Sequence, residues 1–201
     1  MMPDTLYHLT AIANMPNILS YGLISRAKMQ ANGVKLNKNI ADPNILTKRQ
    51  QLGIFDYVPF HLFPDTAFDY RIKTDNPDTL FAYITIPLNH AIQQHWLYIP
   101  CHPLHYQDSQ LYDCNNYDFT YAETAQGLRE WWVIQRHLNW KSYRQVYMAE
   151  VLAPTLVPVT DFGSIVVKDL KGKNLLLQIS TKCNIDLNNI IIDPNIFGAG
   201  A

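Results

Sequence analysis

The chain is expected to adopt an α+β fold, a mixed or split β-sheet with short helices, and three observations lead there. Short apolar strands are interspersed with short helices, without the regular βα succession of a parallel sheet. Hydrophobic residues make up 48% of the 201 positions and aromatic residues 12%, while charged residues reach only 16%, against roughly a quarter in average proteins. Such a chain buries a core, which excludes disorder and a coiled coil as descriptions of the whole. No repeat, charge block or low-complexity tract interrupts it, so residues 1–201 are read as one domain.

Each element has a local signal. Leu6-Tyr7-His8-Leu9 reads as a strand, and Asn14 through Leu19 as a short helix with an Asn cap, an early Pro16 and Gly22 as its stop. Residues 26–41 are rich in Asn, Lys and Gly with little apolar periodicity, which predicts a covering loop. Asp42-Pro43 then starts a helix that carries Lys48-Arg49 and ends near Gly53. Residues 57–63 form an aromatic and apolar strand in which Pro59 argues for an edge or a bulge, and residues 64–78 are turn-rich. Residues 79–86 are the clearest strand, followed by a short helix over 87–95 and an irregular, aromatic stretch over 96–121. Helical spacing returns over 122–137, and a strand over 146–152 stops at Pro154. Short strands near Val157, Ile165 and Ile190 complete the chain, with a helix over 170–179 between the last two.

Composition excludes several function classes. A net charge of −1 gives no bulk attraction to a polyanion, so a nucleic-acid partner has to be held by a local patch. Three cysteines without CxxC spacing suggest neither a disulfide framework nor a zinc knuckle. The amino terminus lacks the pattern of a signal peptide and no apolar run of about 18 residues follows, so a cytoplasmic protein without membrane attachment is expected. There is no Gly-rich phosphate loop, no GxSxG and no HExxH.

Five groups of residues are weighed as carriers of chemistry. Glu150 lies in an apolar strand whose alternation places it with Val146, Met148 and Leu152, and an ionised carboxylate there is costly unless paired or hydrogen-bonded. Read as structural it pairs with Arg144 or Lys141; read as functional it needs partners from elsewhere. His8 is either a satisfied core histidine or part of a site. Lys48-Arg49 is either a solvated helix face or a cation for a pyrophosphate, whose paired oxygens match a guanidinium fork. Trp131 and Trp132, and Trp140 with Tyr143 and Arg144, offer either core packing or the stacking and charge that hold an unpaired base. The cluster His95, Cys101, His102, His105 and Cys114 holds metal-ligand types but fits no standard zinc spacing, and no metal is expected.

Taken together, Tyr7-His8-Leu9-Thr10, Asn14 through Leu23, Lys48-Arg49, Asp56-Tyr57-Val58-Pro59-Phe60 and Ala149-Glu150-Val151-Leu152 resemble, in order and spacing, the DarT family of DNA ADP-ribosyltransferase toxins. The resemblance implies the split mixed sheet of ADP-ribosyltransferases, NAD⁺ as donor, no metal, single-stranded DNA as acceptor with thymine or guanine modified, and a macrodomain antitoxin of the DarG type as partner. It places His8, Leu9, Thr10, Asn17, Ser25 and Arg49 on NAD⁺, with residues 26–41 folding over the dinucleotide. Glu150 matches the catalytic glutamate, Arg49 acts beside the target base, and residues from about 101 to 150 match the substrate-recognising loop. Tyr57, Phe63, Trp140, Tyr143 and Arg144 are expected on the nucleic acid.

Chemistry supplies a reason for Glu150. Cleaving the nicotinamide–ribose bond passes through an oxocarbenium-like ribose, and a carboxylate at the 2′-hydroxyl stabilises charge that exists only in that transition state. A guanidinium is a poor proton acceptor, so Arg49 is read as electrostatic and orienting, with Glu150 or water taking the proton of the attacking base nitrogen. A carboxylate alone on an apolar face would make Glu150→Ala inactive yet at least as stable as the native chain. Two departures from the family bear on the acceptor: Pro64-Asp65-Thr66-Ala67 stands where a Pro-Arg-Ser-Pro-like turn is usual, and Ile99-Pro100-Cys101-His102-Pro103 replaces a "TDGxA"-like segment. RNA as acceptor, and a non-catalytic NAD- or nucleic-acid-binding module, are the competing readings.

Overall fold

The structure is a computed structural model that describes residues 4–103, 111–117, 119 and 147–198. Strands β1 (Thr5–Ala11), β2 (Leu23–Ile24), β3 (Val58–His61), β4 (Phe81–Pro87), β5 (Leu97–Ile99), β6 (Tyr112–Asp113), β7 (Glu150–Ala153), β8 (Leu156–Val157), β9 (Ser164–Val167) and β10 (Ile190–Ile192) alternate with helices. The helices are α1 (Met15–Tyr21), α2 (Arg26–Ala31), α3 (Pro43–Gln51), α4 (Ala67–Asp75), α5 (Leu88–Gln93) and α6 (Leu170–Cys183).

Eight strands form one sheet in the order β10-β9-β4-β1-β3-β7-β5-β6, while β2 and β8 pair separately. Among the described residues only β9 and β10 run parallel, so the sheet is mixed, and with eight strands it is larger than expected. Its period-two alternation divides the apolar side chains between two faces. Leu6, Phe60, Ile84, Tyr98 and Val151 meet Ile18 and Leu19 of α1, Leu88 of α5 and Leu176 of α6 in the main core. Leu6, Phe60 and Ile84 have no exposed surface, and burying each is worth about 1.5–3 kcal/mol. The opposite face carries Leu9, Ala11 and Tyr83 with Ile72 of α4 and Phe197, and beside them Ile54, Ile99 and Leu152.

The sheet parts between its two central strands. β4 pairs with all seven residues of β1, but β3 meets β1 only at Tyr7–His61. Past that bridge the lips diverge, His8 to Thr10 on one side and Val58 to Pro59 on the other. Pro59 sits on the free lip: its carbonyl faces β1 and accepts from His8 Nδ1 at 2.8 Å, so its missing N–H belongs to the edge where the ladder has ended.

Four expectations about elements need correction. Residues 26–31 are helical, because Ser25 Oγ caps α2 by accepting from Lys28 N at 3.2 Å; only the segment after it is irregular. Within the stretch read as turn-rich, Thr66 and Asp69 form a capping box, each backbone N–H donating to the other's side chain at 3.2 Å, and this starts α4. Asn14 does not cap α1; its own backbone is helical and its side chain is engaged elsewhere. β7 starts at Glu150, so Tyr147 and Met148 precede the strand. The predicted helix over 122–137, with Trp131 and Trp132, lies outside the described residues. Among the described residues no helix is long and apolar enough to cross a membrane.

Candidate active site

A cavity opens where β1 and β3 part, and His8, Leu9, Thr10, Asn17, Ser25 and Arg49 all line it. Tyr57 and Glu150 line it too. Residues read from six separate stretches of sequence therefore line one cavity.

Arg49 arrives from α3. Asp42 caps that helix, its Oδ1 accepting from Asn44 N at 2.8 Å, Pro43 opens it, and Lys48 and Arg49 fill its last turn. Gly53 then takes a φ of 69°, a left-handed turn that suits glycine, and Ile54 N donates back to the Arg49 carbonyl at 2.9 Å. The turn brings the Ile54 and Tyr57 carbonyls to 3.4 Å from Arg49 Nη2. Nη1 donates to Glu150 Oε2, 101 residues away in sequence. Both side chains are buried, at 5% and 7% exposure, so this is a charge-assisted pair shielded from most solvent. Arg49 is thus no solvated helix face, and Glu150 is not alone on an apolar surface.

Strand register fixes the carboxylate. Glu150 lies opposite His61 of β3 on one side and Ile99 of β5 on the other, and residues in register share a face. His61 consequently stands beside Glu150 on the cavity wall, its Nδ1 at 3.3 Å from the Ala149 carbonyl. Sequence reading gave no site role to His61 or Met148, took Asn14 for a helix cap, and included Arg26 only within the covering element 26–41; all four line the cavity. Only the pairing of β3 with β7 could have singled out His61, since its neighbours in sequence look like ordinary strand.

The segment after α2 is fastened over the cavity by asparagines. Asn14 donates to the Lys38 carbonyl and accepts from Lys38 N, both at 2.9 Å. Asn17 donates to the Lys35 carbonyl at 2.8 Å, Asn37 to the Ala13 carbonyl at 2.7 Å, and Arg26 Nη2 to Asn39 Oδ1 at 2.8 Å. Asn17 and Ser25 therefore face the cavity with side chains already committed, one to this strap and one to a helix cap.

The remaining expected residues fall elsewhere. Phe63 is packed in the core, stacked on Tyr147 with ring centroids 4.9 Å apart, rather than on the cavity wall. Trp140, Tyr143 and Arg144 lie outside the described residues, as do Lys141 and His105. Asp65 does not present a free negative charge: Lys73 Nζ is 2.6 Å from its Oδ1 and lies over the rings of Tyr83 and Phe197. Among the described residues no group of three or more His, Cys, Asp or Glu side chains could hold a metal ion. His102 is buried on the cavity wall, and Cys114 is buried in the main core.

His8 is held neutral. Burial pushes its imidazole down to about 4, with His61, Arg26 and Arg49 acting in the same direction and the Pro59 carbonyl against it. A carbonyl only accepts, so Nδ1 carries the proton and Nε2 keeps a free lone pair. The unfolded chain, with an ordinary histidine near pH ~6.5, binds more protons than the folded one as pH falls from ~6.5 to about 4. The stabilisation is fully present above that window and is lost on acidification, amounting to about 2–3 kcal/mol by pH ~4.5. Urea midpoints at neutral and acid pH should show this loss for the native chain and a smaller one for His8→Gln. An equal loss in both would place the acid sensitivity elsewhere.

A family model described as DarT, ssDNA thymidine ADP-ribosyltransferase, matches residues 7–198. No curated protein sequence matches the chain. Among solved structures, Thermosipho africanus DarTG in complex with ADP-ribose superposes with a TM-score of 0.76 and 19% identity, over 96% of this chain and 51% of that one. Thermus sp. 2.9 DarT in complex with ADP-ribosylated ssDNA gives 0.71 and 17%, over 96% of both chains. The same Thermus protein in complex with NAD⁺ gives 0.68 and 16%, over 96% of this chain and 97% of that one. The chain thus spans about half of the Thermosipho protein and nearly all of the Thermus one, and at these identities the likeness is one of fold.

Proposed function

The chain belongs to the DarT family of ssDNA thymidine ADP-ribosyltransferases, and from that premise we propose that the parted sheet holds NAD⁺ with its nicotinamide–ribose bond beside Glu150. The observation that carries the reading is the buried Arg49–Glu150 pair on the wall of a cavity that also presents His8, Leu9 and Thr10. These residues suit a dinucleotide. Arg26 and Arg49 supply cations for a pyrophosphate, Leu9, Ile40 and Tyr57 supply apolar surface for rings, and neutral His8 offers an acceptor nitrogen.

When bound, NAD⁺ supplies the ADP-ribosyl group and nicotinamide as the leaving group. Glu150 stabilises the positive charge that develops on the ribose, and Arg49 holds the carboxylate in one orientation through a charge-assisted pair on the cavity wall. Residues 26–41 close over the dinucleotide, a role supported by the asparagine bonds that tie Lys35 and Lys38 to the start of α1. Nucleic acid is held by local contacts, Tyr57 on the cavity wall and the Trp140, Tyr143 and Arg144 stretch, because a net charge of −1 offers no broad basic face. A thymine in single-stranded DNA is the acceptor we assign, supported by the family and by the neutralised charge of Asp65. A macrodomain antitoxin of the DarG type is the partner we assign, supported by the likeness to Thermosipho DarTG.

Labelled NAD⁺ offered with single-stranded DNA, duplex, single-stranded RNA and protein tests the reading. Label should enter single-stranded oligonucleotides that contain thymine, and duplex should be a poor acceptor because the base has to leave its stack. Label on a thymine-free, guanine-containing strand would reassign the base, and label on RNA the acceptor. Label on protein alone, or on nothing, would overturn the assignment.

A further inference from the structure

The transfer has to remove a proton from the attacking nitrogen, and the groups on the cavity wall differ in whether they can take it. The exchangeable proton of a thymine ring in DNA is on N3. Arg49 has five N–H donors and no acceptor. Glu150 has one carboxylate, which holds the Arg49 guanidinium and is needed at the ribose. His8 is a weak base, held neutral down to about 4.

His61 stands differently. It is in register with Glu150 across the β3–β7 ladder and with Tyr7 at the single bridge where β1 and β3 part, so its ring lies on the same sheet face as the carboxylate and at the mouth of the fork. It lines the cavity. Its Nδ1 bonds the Ala149 carbonyl at 3.3 Å, and since a carbonyl only accepts, Nδ1 holds the proton and Nε2 keeps its lone pair. His102 also lines the cavity, but three residues beyond Ile99, the neighbour of Glu150 on its other side.

Resting on the function proposed above, we propose that His61 Nε2 is the base that accepts the N3 proton of the acceptor thymine. The C1″–N bond to nicotinamide breaks with its electron pair leaving on nicotinamide. The N3–H bond breaks toward His61, and its electron pair forms the new N3–C1″ bond. His61 then returns the proton to water, so that ADP-ribosyl-DNA, nicotinamide and one proton are formed. The charged and titratable groups around His61 are Tyr7 and His8 on β1, Arg49 on α3, Asp69 on α4, Glu150 on β7 and His102 after β5. Asp69 is buried, and burial pushes its carboxyl above the ordinary carboxylate range, with His61, the Thr66 backbone, Tyr83 and Lys73 acting against that rise.

The test uses the full chain, labelled NAD⁺ and two single-stranded oligonucleotides, one with thymine and one with 5-fluorouracil, whose N3–H is more acidic. His61→Asn keeps an N–H where Nδ1 bonds Ala149 but removes the Nε2 base. Rates are read for the native enzyme and the variant over the same pH range. The variant should transfer to thymine on the order of 100-fold more slowly at neutral pH, with a rate that climbs with pH and does not level off. The 5-fluorouracil strand should recover at least about tenfold of that loss in the variant and change the native rate little.

A variant within about threefold of the native rate, or a loss that the more acidic acceptor does not relieve, overturns the proposal. The second outcome would make His61 a support for the Ala149–Glu150 backbone and nothing more. Should His61→Asn melt early, His61→Gln and the native profile on the two acceptors read the same quantity. Failure of the native enzyme to label any DNA sinks the functional reading itself, whereas labelling that is indifferent to His61 sinks only its role as base.

Discussion

Glu150→Ala is expected to abolish ADP-ribosyl transfer and to destabilise the fold at the same time. In the role proposed for it, the carboxylate faces a charge that appears only in the transition state, and removing a preorganised electrostatic partner of this kind lowers turnover on the order of a thousandfold. The stability effect reverses what the sequence suggested. A lone carboxylate on an apolar strand would be a relief to lose, but Glu150 is paired with Arg49 and both are buried. Deleting one partner strands the other charge, a loss of about 3 kcal/mol, at the low end for a buried pair because the cavity lets water reach it. Glu150→Gln keeps the shape and an acceptor for Arg49, so it should be nearly as inactive as the alanine variant yet clearly more stable. Thermal melts and nicotinamide release on both variants decide this. An alanine variant as stable as the native chain would mean that the pair contributes nothing to folding, and one that still transfers would remove Glu150 from the chemistry.

Arg49→Ala should reduce NAD⁺ use through loss of a charge-assisted contact, about 1.5–3 kcal/mol, which is roughly a 10- to 150-fold fall in kcat/KM. Arg49→Lys restores the charge but not the fork that reaches Glu150 and the Ile54 and Tyr57 carbonyls together, so it should recover only part of the loss. The double variant Arg49→Ala with Glu150→Ala leaves no stranded charge. It should therefore be more stable than the sum of the two single effects predicts. Additive melts would show that the two groups do not interact, and unchanged NAD⁺ turnover in Arg49→Ala would put the guanidinium outside the donor site.

Much of the fold was legible because its signals are local. Asp42-Pro43 announces α3 through a cap and a preset φ, and the strands at β1, β4 and β9 show in runs of apolar residues. Where the reading failed, the local signal was short or ambiguous. α2 and α4 have six and nine residues with mixed polarity, and helices so short are set by caps and packing more than by propensity. Asn14 looked like a cap by type, but its side chain serves the strap at Lys38.

For the site, the sequence by itself determined which side chains were out of place: a glutamate in an apolar strand, a histidine in β1, an arginine beside a lysine in α3. It also carried the motifs of the family, since those are strings of neighbouring residues. What only the tertiary structure decided is who meets whom. Arg49 and Glu150 are 101 residues apart, His61 owes its place beside Glu150 to the β3–β7 register, and the cavity exists because β1 and β3 share one bridge and then part. Caps, turns and periodicity are set within a few residues of one another. Strand register and the pairing of buried charges are set by which faces of the whole chain must be covered together, and no short stretch of sequence contains that condition.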